Sequence, residues 1–545
     1  MRPWVRNLLF LMACTGVGLV LTSRLLRREP LPGPLQHDAQ AFASRTFVGA
    51  VERLDAAFSN AWTTSHQLAA PQASRLALLR RLSLGLTGTV PSLEEIRAVE
   101  GVDEKDWVQW WLSRLLVDRR FSDHFAERVA GAVVGVEGGP FILYRRHRLV
   151  SWLSDQIQIN RPFDEVVREM ITAEGIWTSR PAVNFITVTV DQNNDKEGPD
   201  EQKLAARVSR AFLGQRIDCV QCHDDMFGDR WKQKDFHQLA AFFVGSELSL
   251  TGVRDQPGKA YEYRYLGRSE KEPVLAKVPF NAHLLPAEGA LRHRLATWVT
   301  HDENKPFARM MVNRVWALMF GRPLHRPIDD LPLNGPFPPG LEELADEWVA
   351  SGHDVHRLIR LIAASRVFQR DSRPAAEGQT QGEETGYLFA SFPVTRLRPE
   401  QVGSSVLQAS SLRTQDMETP VFRRVIRFFQ QNDFVTRYGD AGEDEFGELP
   451  GTIPQRLVMM NGKLVHERTK EDLVMNASTR IGALARSPRD QVELAYLTLL
   501  TRRPTSDEAL YFENRMRSVE GVKKSDQMED LCWALINSTE FSWNH

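Results

Sequence analysis

QKLAARVSRAFLGQRIDCVQCH, residues 202–223, decides how this chain reads. Its first half, Gln202–Leu213, sets Leu204, Val208 and Phe212 on one face at helical spacing. Its second half places Cys219, Cys222 and His223 in the spacing C-x-x-C-H. Outward from this stretch the same helical period recurs. Upstream it runs through Phe47, Val51, Leu54 and Phe58, then Leu76–Leu86, Leu93–Val99, Trp107–Leu116, Leu149–Ile159 and Phe163–Thr172. Ser92 followed by Glu95 has the form of a capping box, which starts a helix there. Downstream, helices are predicted over Leu291–Val299, Phe307–Phe320, Pro399–Ala409, Val421–Phe429, Gln491–Leu500 and Asp507–Val519. Residues 246–290 differ. Tyr261, Tyr263 and Tyr265 alternate with polar residues as a strand does, between Pro- and Gly-rich flanks.

The expected fold is therefore mainly α, with two helical domains and a small β-containing segment between them. The boundaries read as 1–35 for an N-terminal anchor and Pro-rich tether, 36–245 for the domain with the motif, 246–290 for the β-containing linker and 291–545 for the second helical domain. A chain of 545 residues is too long for one hydrophobic core. With 42% hydrophobic and 25% charged residues it is ordinary for a globular protein. A net charge of -2 excludes a basic nucleic-acid binder. Four cysteines exclude a disulfide scaffold.

The N-terminus sets the compartment. Arg2 and Arg6 precede the uncharged run Leu8–Ser23, the pattern of a secretory segment. No small-x-small cleavage site follows, so it reads as an uncleaved signal anchor, short of the roughly 20 residues that span comfortably. The stretch Leu11-Met12-Ala13-Cys14 offers the alternative of a lipoprotein box. Under either reading the body is extracytoplasmic, on the periplasmic side, and tethered to the membrane.

C-x-x-C-H is the spacing of covalent haem attachment. Two thiols three residues apart lie on one side of a helical turn and reach the two vinyl groups of a porphyrin. The histidine that follows presents its imidazole to the iron. Attachment takes place outside the cytoplasm, in agreement with the N-terminal segment. Other readings of the same residues stand beside this one. The cysteines can form a redox dithiol, although no thioredoxin-like context surrounds them. They can bind zinc through Cys219, Cys222 and one or two of His223, Asp225 and His237. They can also form a disulfide or a small packing cluster. For a sixth iron ligand Met226 begins on the wrong side of the ring, and His237 is the better local choice, ahead of His124 and His147. Phe227, Trp231, Phe236, Phe242 and Phe243 are the nearest aromatic residues able to wall a porphyrin. His353 and His356 read as capping and packing residues, and Asn313–Trp316 as a buried Arg–Trp cluster. No residue set argues for a catalytic activity. H-E-x-x-H, G-x-S-x-G, phosphate-loop and EF-hand patterns are all absent from the sequence.

Residues 160–243 contain NRPFDEVVREMITAEG, PAVNF and AARVSRAFLGQRIDCVQCHDDMFGDRWKQKDFHQLAAFF. Together with RRLSLGLTGTVPSLEEI at 80–96, they resemble the planctomycete cytochrome-c-like family, domain of unknown function 1549. RLATWVTHDENKPFARMMVNRVWALMFGRPL and HRLIRLIAASRVFQR within 291–370 resemble its companion, domain of unknown function 1553. So do TIPQRLVMMNG at 452–462 and LTLLTRRPTSDE at 497–508. The resemblance implies an exported protein built around the C-x-x-C-H motif. The family pattern continues C-H-x-H-P-F, whereas this chain has Asp225 and Met226 in place of the second histidine and the proline. If both histidines of the family bind a metal, this chain offers an oxygen ligand at one position or has lost the site. Two functions follow. One is a membrane-tethered c-type haem protein that passes electrons to an unidentified redox partner or binds a small ligand. The other is a non-catalytic exported scaffold or binding protein whose motif holds zinc or a disulfide.

Overall fold

The computed structural model describes residues 39–135, 144–176, 178–190, 198–225, 230–375, 388–416, 419, 421–439, 451–473, 475–517 and 524–545. The anchor expected over residues 8–23 lies outside them. No described helix is long and apolar enough to cross a membrane.

The chain is mainly helical. Helices Phe163–Thr172, Leu291–Val299 and Pro399–Ala409 have the bounds that the apolar spacing predicts. Ser92 and Glu95 make both arms of the capping box, Ser92 N donating to Glu95 Oε2 at 2.8 Å and Glu95 N to Ser92 Oγ at 3.1 Å. The described sheets are three antiparallel two-stranded pairs. Two of them, Ser246–Ser249 with Gly252–Asp255 and Tyr261–Tyr263 with Glu272–Val274, occupy the segment that reads as β-containing. The third pairs Thr395–Arg396 with Trp543–Asn544.

Two apolar clusters form. The first gathers buried residues from Phe42 to Phe392, together with Leu497. The second gathers Leu397 to Phe541, together with Leu84 and Val90. Helix Lys305–Phe320 runs through the first cluster, and every residue from Pro306 to Phe320 is buried. A helix buried all round must be enclosed by others. It packs on Arg75–Thr87, Glu201–Leu213 and Leu341–Ala350. Trp316 stacks on Phe58 at 5.4 Å and on Phe320 at 4.2 Å. Each such fully buried aromatic contributes roughly 2–3 kcal/mol. Helices on either side of residues 246–290 thus share one core.

Helix Arg75–Thr87 joins the two clusters. Leu78, Leu79, Leu82 and Leu86 belong to the first and Leu84 to the second. Its neighbouring arginines, Arg80 and Arg81, are each 1% exposed. Arg80 donates to Phe541 O at 3.1 Å, and Arg81 to His545 O at 3.0 Å and Arg370 O at 2.6 Å. Segments far apart in sequence therefore meet on one helical turn.

The first hairpin is locked by close backbone approach. Gly175 and Val253 exchange two hydrogen bonds, of 2.8 and 2.9 Å. Gly252 has φ of +100°, and a Cβ there would collide with the Gly175 carbonyl. Arg292, buried, then ties the hairpin to the core by donating to Asp255 Oδ1 at 2.7 Å and to the carbonyls of Ile171 and Ala173 at 3.0 Å. Gly252→Ala is expected to cost more than about 2 kcal/mol, from a strained positive φ and a backbone clash. An unchanged urea midpoint would contradict this.

Candidate functional site

Helix Glu201–Leu213 ends at Gly214, whose φ of +60° provides a left-handed cap. A Cβ there would meet Leu331 and Met310 within 3.0 Å, so the chain passes tightly against the loop after helix Lys305–Phe320. Leu331 N donates to Gly214 O at 2.8 Å. Three arginines and three aspartates line this seam. Arg210 pairs with Asp218 at 2.7 Å and Asp329 at 3.3 Å, Arg216 with Asp329 at 2.6 Å, and Arg230 with Asp330 at 3.2 Å.

The motif follows at once. Ile217–Gln221 forms a 3-10 turn with a kink at Val220, and Cys222 caps it. The spacing predicts the start of a helix here. The observed turn stops at Gln221 because the Gln221 carbonyl is taken by side chains. His237 Nε2 donates to it at 3.0 Å, Gln233 Nε2 at 3.1 Å and Tyr263 OH at 3.3 Å. In a continued helix that carbonyl would accept from Asp225 N, which instead donates to Trp231 O at 3.1 Å.

Cys219 and Cys222 are exposed free thiols. His223 is exposed, and its Nδ1 lies 2.7 Å from the Asp224 carbonyl. A carbonyl only accepts, so Nδ1 donates to it, and of the two tautomers this contact selects the one with its lone pair on Nε2. A histidine whose other nitrogen is held in this way is oriented for a metal. Asp224 Oδ1 in turn accepts from Gln233 N at 2.8 Å, tying the turn to the start of helix Gln233–Ala240.

His237 has a different place. It is fully buried, its ring stacked on Tyr263 with centroids 3.4 Å apart. Its Nε2 serves Gln221 O, and its Nδ1 accepts from Tyr261 OH at 2.9 Å. Burial pulls its pKa down to about 4, against the opposing hydrogen bond to Gln221. Both nitrogens are committed inside the fold, so the structure does not bring His237 to the sulfurs as a ligand. Asp225 is half-buried beside the turn. Among the described residues no group of three or more His, Cys, Asp and Glu side chains is placed to hold a metal ion.

The other candidate residues scatter. Trp231, Phe236, Phe242 and Phe243 are buried in the first core, and Met226 and Phe227 lie outside the described residues. His124 is half-buried, its pKa pulled to about 3 by desolvation and by Arg128 and Arg398. His147 is exposed on helix Arg146–Gln158. His356 packs edge-on against Phe121 at 5.5 Å, and His353 Nδ1 lies 3.5 Å from Asp164. Arg314 and Trp316 are both buried, Arg314 donating to Ala211 O at 2.8 Å and Trp316 stacking on Phe58 and Phe320. The bed beneath the motif, made of Gln202, Gln233, Tyr261 and Tyr263, is not legible in the sequence as part of a site. Only the alternating tyrosines hint at it.

The molecule is thus a mainly helical chain that presents a C-x-x-C-H turn at its surface over a buried histidine–tyrosine bed. Residues 53–247 match the family model PSCyt2, described as a protein of unknown function (DUF1549), and residues 291–445 match PSD1, described as a protein of unknown function (DUF1553). The two matches stand in tandem, in the order that the resemblance implies. The turn and His237 lie in the first segment, and the tyrosine hairpin lies between the two. No curated protein and no solved structure matches the chain.

Proposed function

We propose that this chain is an exported, membrane-tethered protein that carries a c-type haem on Cys219, Cys222 and His223, for electron transfer or small-ligand binding. One observation carries the reading. Both thiols are exposed and free, and the adjacent His223 holds its proton on Nδ1, leaving Nε2 as the atom able to ligate iron. The donor set therefore fits a haem. The aromatic side chains of Trp231, Phe236, Phe242 and Phe243 are already used by the core, so a haem held here would stand at the surface. When bound it would supply a one-electron iron couple or, with an open sixth position, a binding site for a small ligand. The two cysteines provide attachment, and His223 provides the axial imidazole. The tether is residues 8–23, which would deliver the chain to the compartment where attachment is made.

The test is expression of the full-length chain in cells with a cytochrome c maturation system. Haem should survive acid-acetone extraction of the native protein. Cys222→Ala should weaken or abolish that retention. His223→Ala should keep part of the attachment while shifting the Soret band. A folded, exported chain that stays colourless, with Cys219 and Cys222 both free to react, would overturn the proposal. A chelator-sensitive melting temperature would then favour zinc, because metal binding adds directly to folding stability.

A further inference from the structure

We infer that His237 is a positioning residue for the C-x-x-C-H turn: by donating from Nε2 to the Gln221 carbonyl it sets the peptide unit that enters Cys222. The inference rests on the reading that Cys219, Cys222 and His223 form the attachment site. The hydrogen bonds close into a circuit. Gln221 O accepts from His237 Nε2 at 3.0 Å, and His237 Nδ1 accepts from Tyr261 OH at 2.9 Å. Tyr261 OH accepts from Gln202 Nε2 at 3.3 Å, and Gln202 Oε1 accepts from the Gln221 side-chain amide. Both the backbone and the side chain of Gln221, the residue before Cys222, thus end on one buried imidazole. The circuit fixes the tautomer, since a carbonyl only accepts and Nε2 must carry the proton. Tyr263 clamps the ring by stacking and shares the same carbonyl. Helix Glu201–Leu213, the 3-10 turn, helix Gln233–Ala240 and the tyrosine hairpin all contribute to it, the last two with Gln233 and Tyr263 also donating to the Gln221 carbonyl. A network with every member satisfied holds one geometry, and here the geometry held is that of the cysteine-bearing turn.

Two substitutions at His237 separate positioning from packing. His237→Phe keeps the stack on Tyr263 and removes the donor. His237→Gln keeps an amide N–H at the reach of Nε2. Hydrogen exchange of residues 217–225 in the haem-free chain and the yield of covalent haem per folded protein are both read. In His237→Phe, exchange at the turn should rise and haem yield should fall, each about fivefold, the equivalent of one lost hydrogen bond. Exchange in helix Lys305–Phe320 should stay unchanged. His237→Gln should restore both. If His237→Phe does not fold, Tyr261→Phe should show the same loosening, confined to the same residues. Unchanged exchange at 217–225 in the donor-less variant, or failure of His237→Gln to restore it, would overturn the inference. If the wild type takes up no haem, the attachment reading fails alone, and the exchange measurement still decides the positioning role.

Discussion

Arg81→Ala is expected to destabilise the protein by about 4 kcal/mol and to free the C-terminal residues, because it strands buried carbonyls and opens a cavity. Arg81 reaches from helix Arg75–Thr87 to the carbonyls of His545, Arg370 and Phe368, with its guanidinium 3.9 Å from the centre of the Phe392 ring. Its neighbour Arg80 holds the carbonyls of Phe541, Trp543 and Leu499. Unlike a surface ion pair, these donors are shielded from water, so losing one leaves its carbonyls desolvated and short of a hydrogen bond. The strand pair Thr395–Arg396 with Trp543–Asn544 sits directly on this support. Urea unfolding followed by tryptophan fluorescence, together with limited proteolysis, should show a lower midpoint and cleavage near residue 540. Arg81→Met, which refills most of the space left by the stem, should recover part of the loss. A wild-type midpoint in Arg81→Ala would refute the role given to this turn.

The second large effect is acid lability between pH 6.5 and about 4. His237 and His356 are buried and His124 is half-buried; their pKa values are pulled from 6.5 down to about 4, 4 and 3 in turn, which holds all three neutral. Desolvation is the leading cause in each, joined by Arg128 and Arg398 at His124 and by Arg360 at His356. In the unfolded chain these rings bind protons near pH 6.5. The unfolded state therefore holds more protons across the window, and stability falls as pH falls. A tenfold loss of proton affinity on folding corresponds to about 1.4 kcal/mol, so each histidine removes roughly 3 kcal/mol by pH 4. Glu508, held near 2 by its hydrogen bond with Arg502, loses its contribution only below its ordinary value of 4.5. The two regimes are thus separable. Urea midpoints measured from pH 7.5 to 4.5 should decline steadily, and less steeply in His237→Gln. A flat profile above pH 4.5 would contradict the assignment.

The helices are legible because their apolar period survives in the sequence. Ser92 and Glu95 announce a start, and Leu291–Val299 needs no tertiary information. The alternating tyrosines mark a strand for the same reason. What they touch is not legible. Nothing local says that Tyr263 will reach back to residue 221 and Tyr261 to His237, or that His237 will spend both nitrogens within the fold. A histidine close to two cysteines in sequence reads as a ligand until the bed beneath the turn is seen. Helix Lys305–Phe320 is visible as a helix, but its all-round burial depends on partners as distant in sequence as helices Arg75–Thr87 and Glu201–Leu213. Arg80 and Arg81 would pass for surface charge in any composition count. The motif itself is legible only in part. Its spacing implies a helix start, and the structure has a kinked 3-10 turn whose last carbonyl is captured from below.

Whether Cys219, Cys222 and His223 carry covalent haem is decided most directly by the intact mass of the full-length chain purified under denaturing conditions from maturation-competent cells. A mass increased by one haem, with both thiols blocked to alkylation and a reduced-haem spectrum of the c type, is the expected result. An unmodified mass with Cys219 and Cys222 both free to alkylate would contradict it.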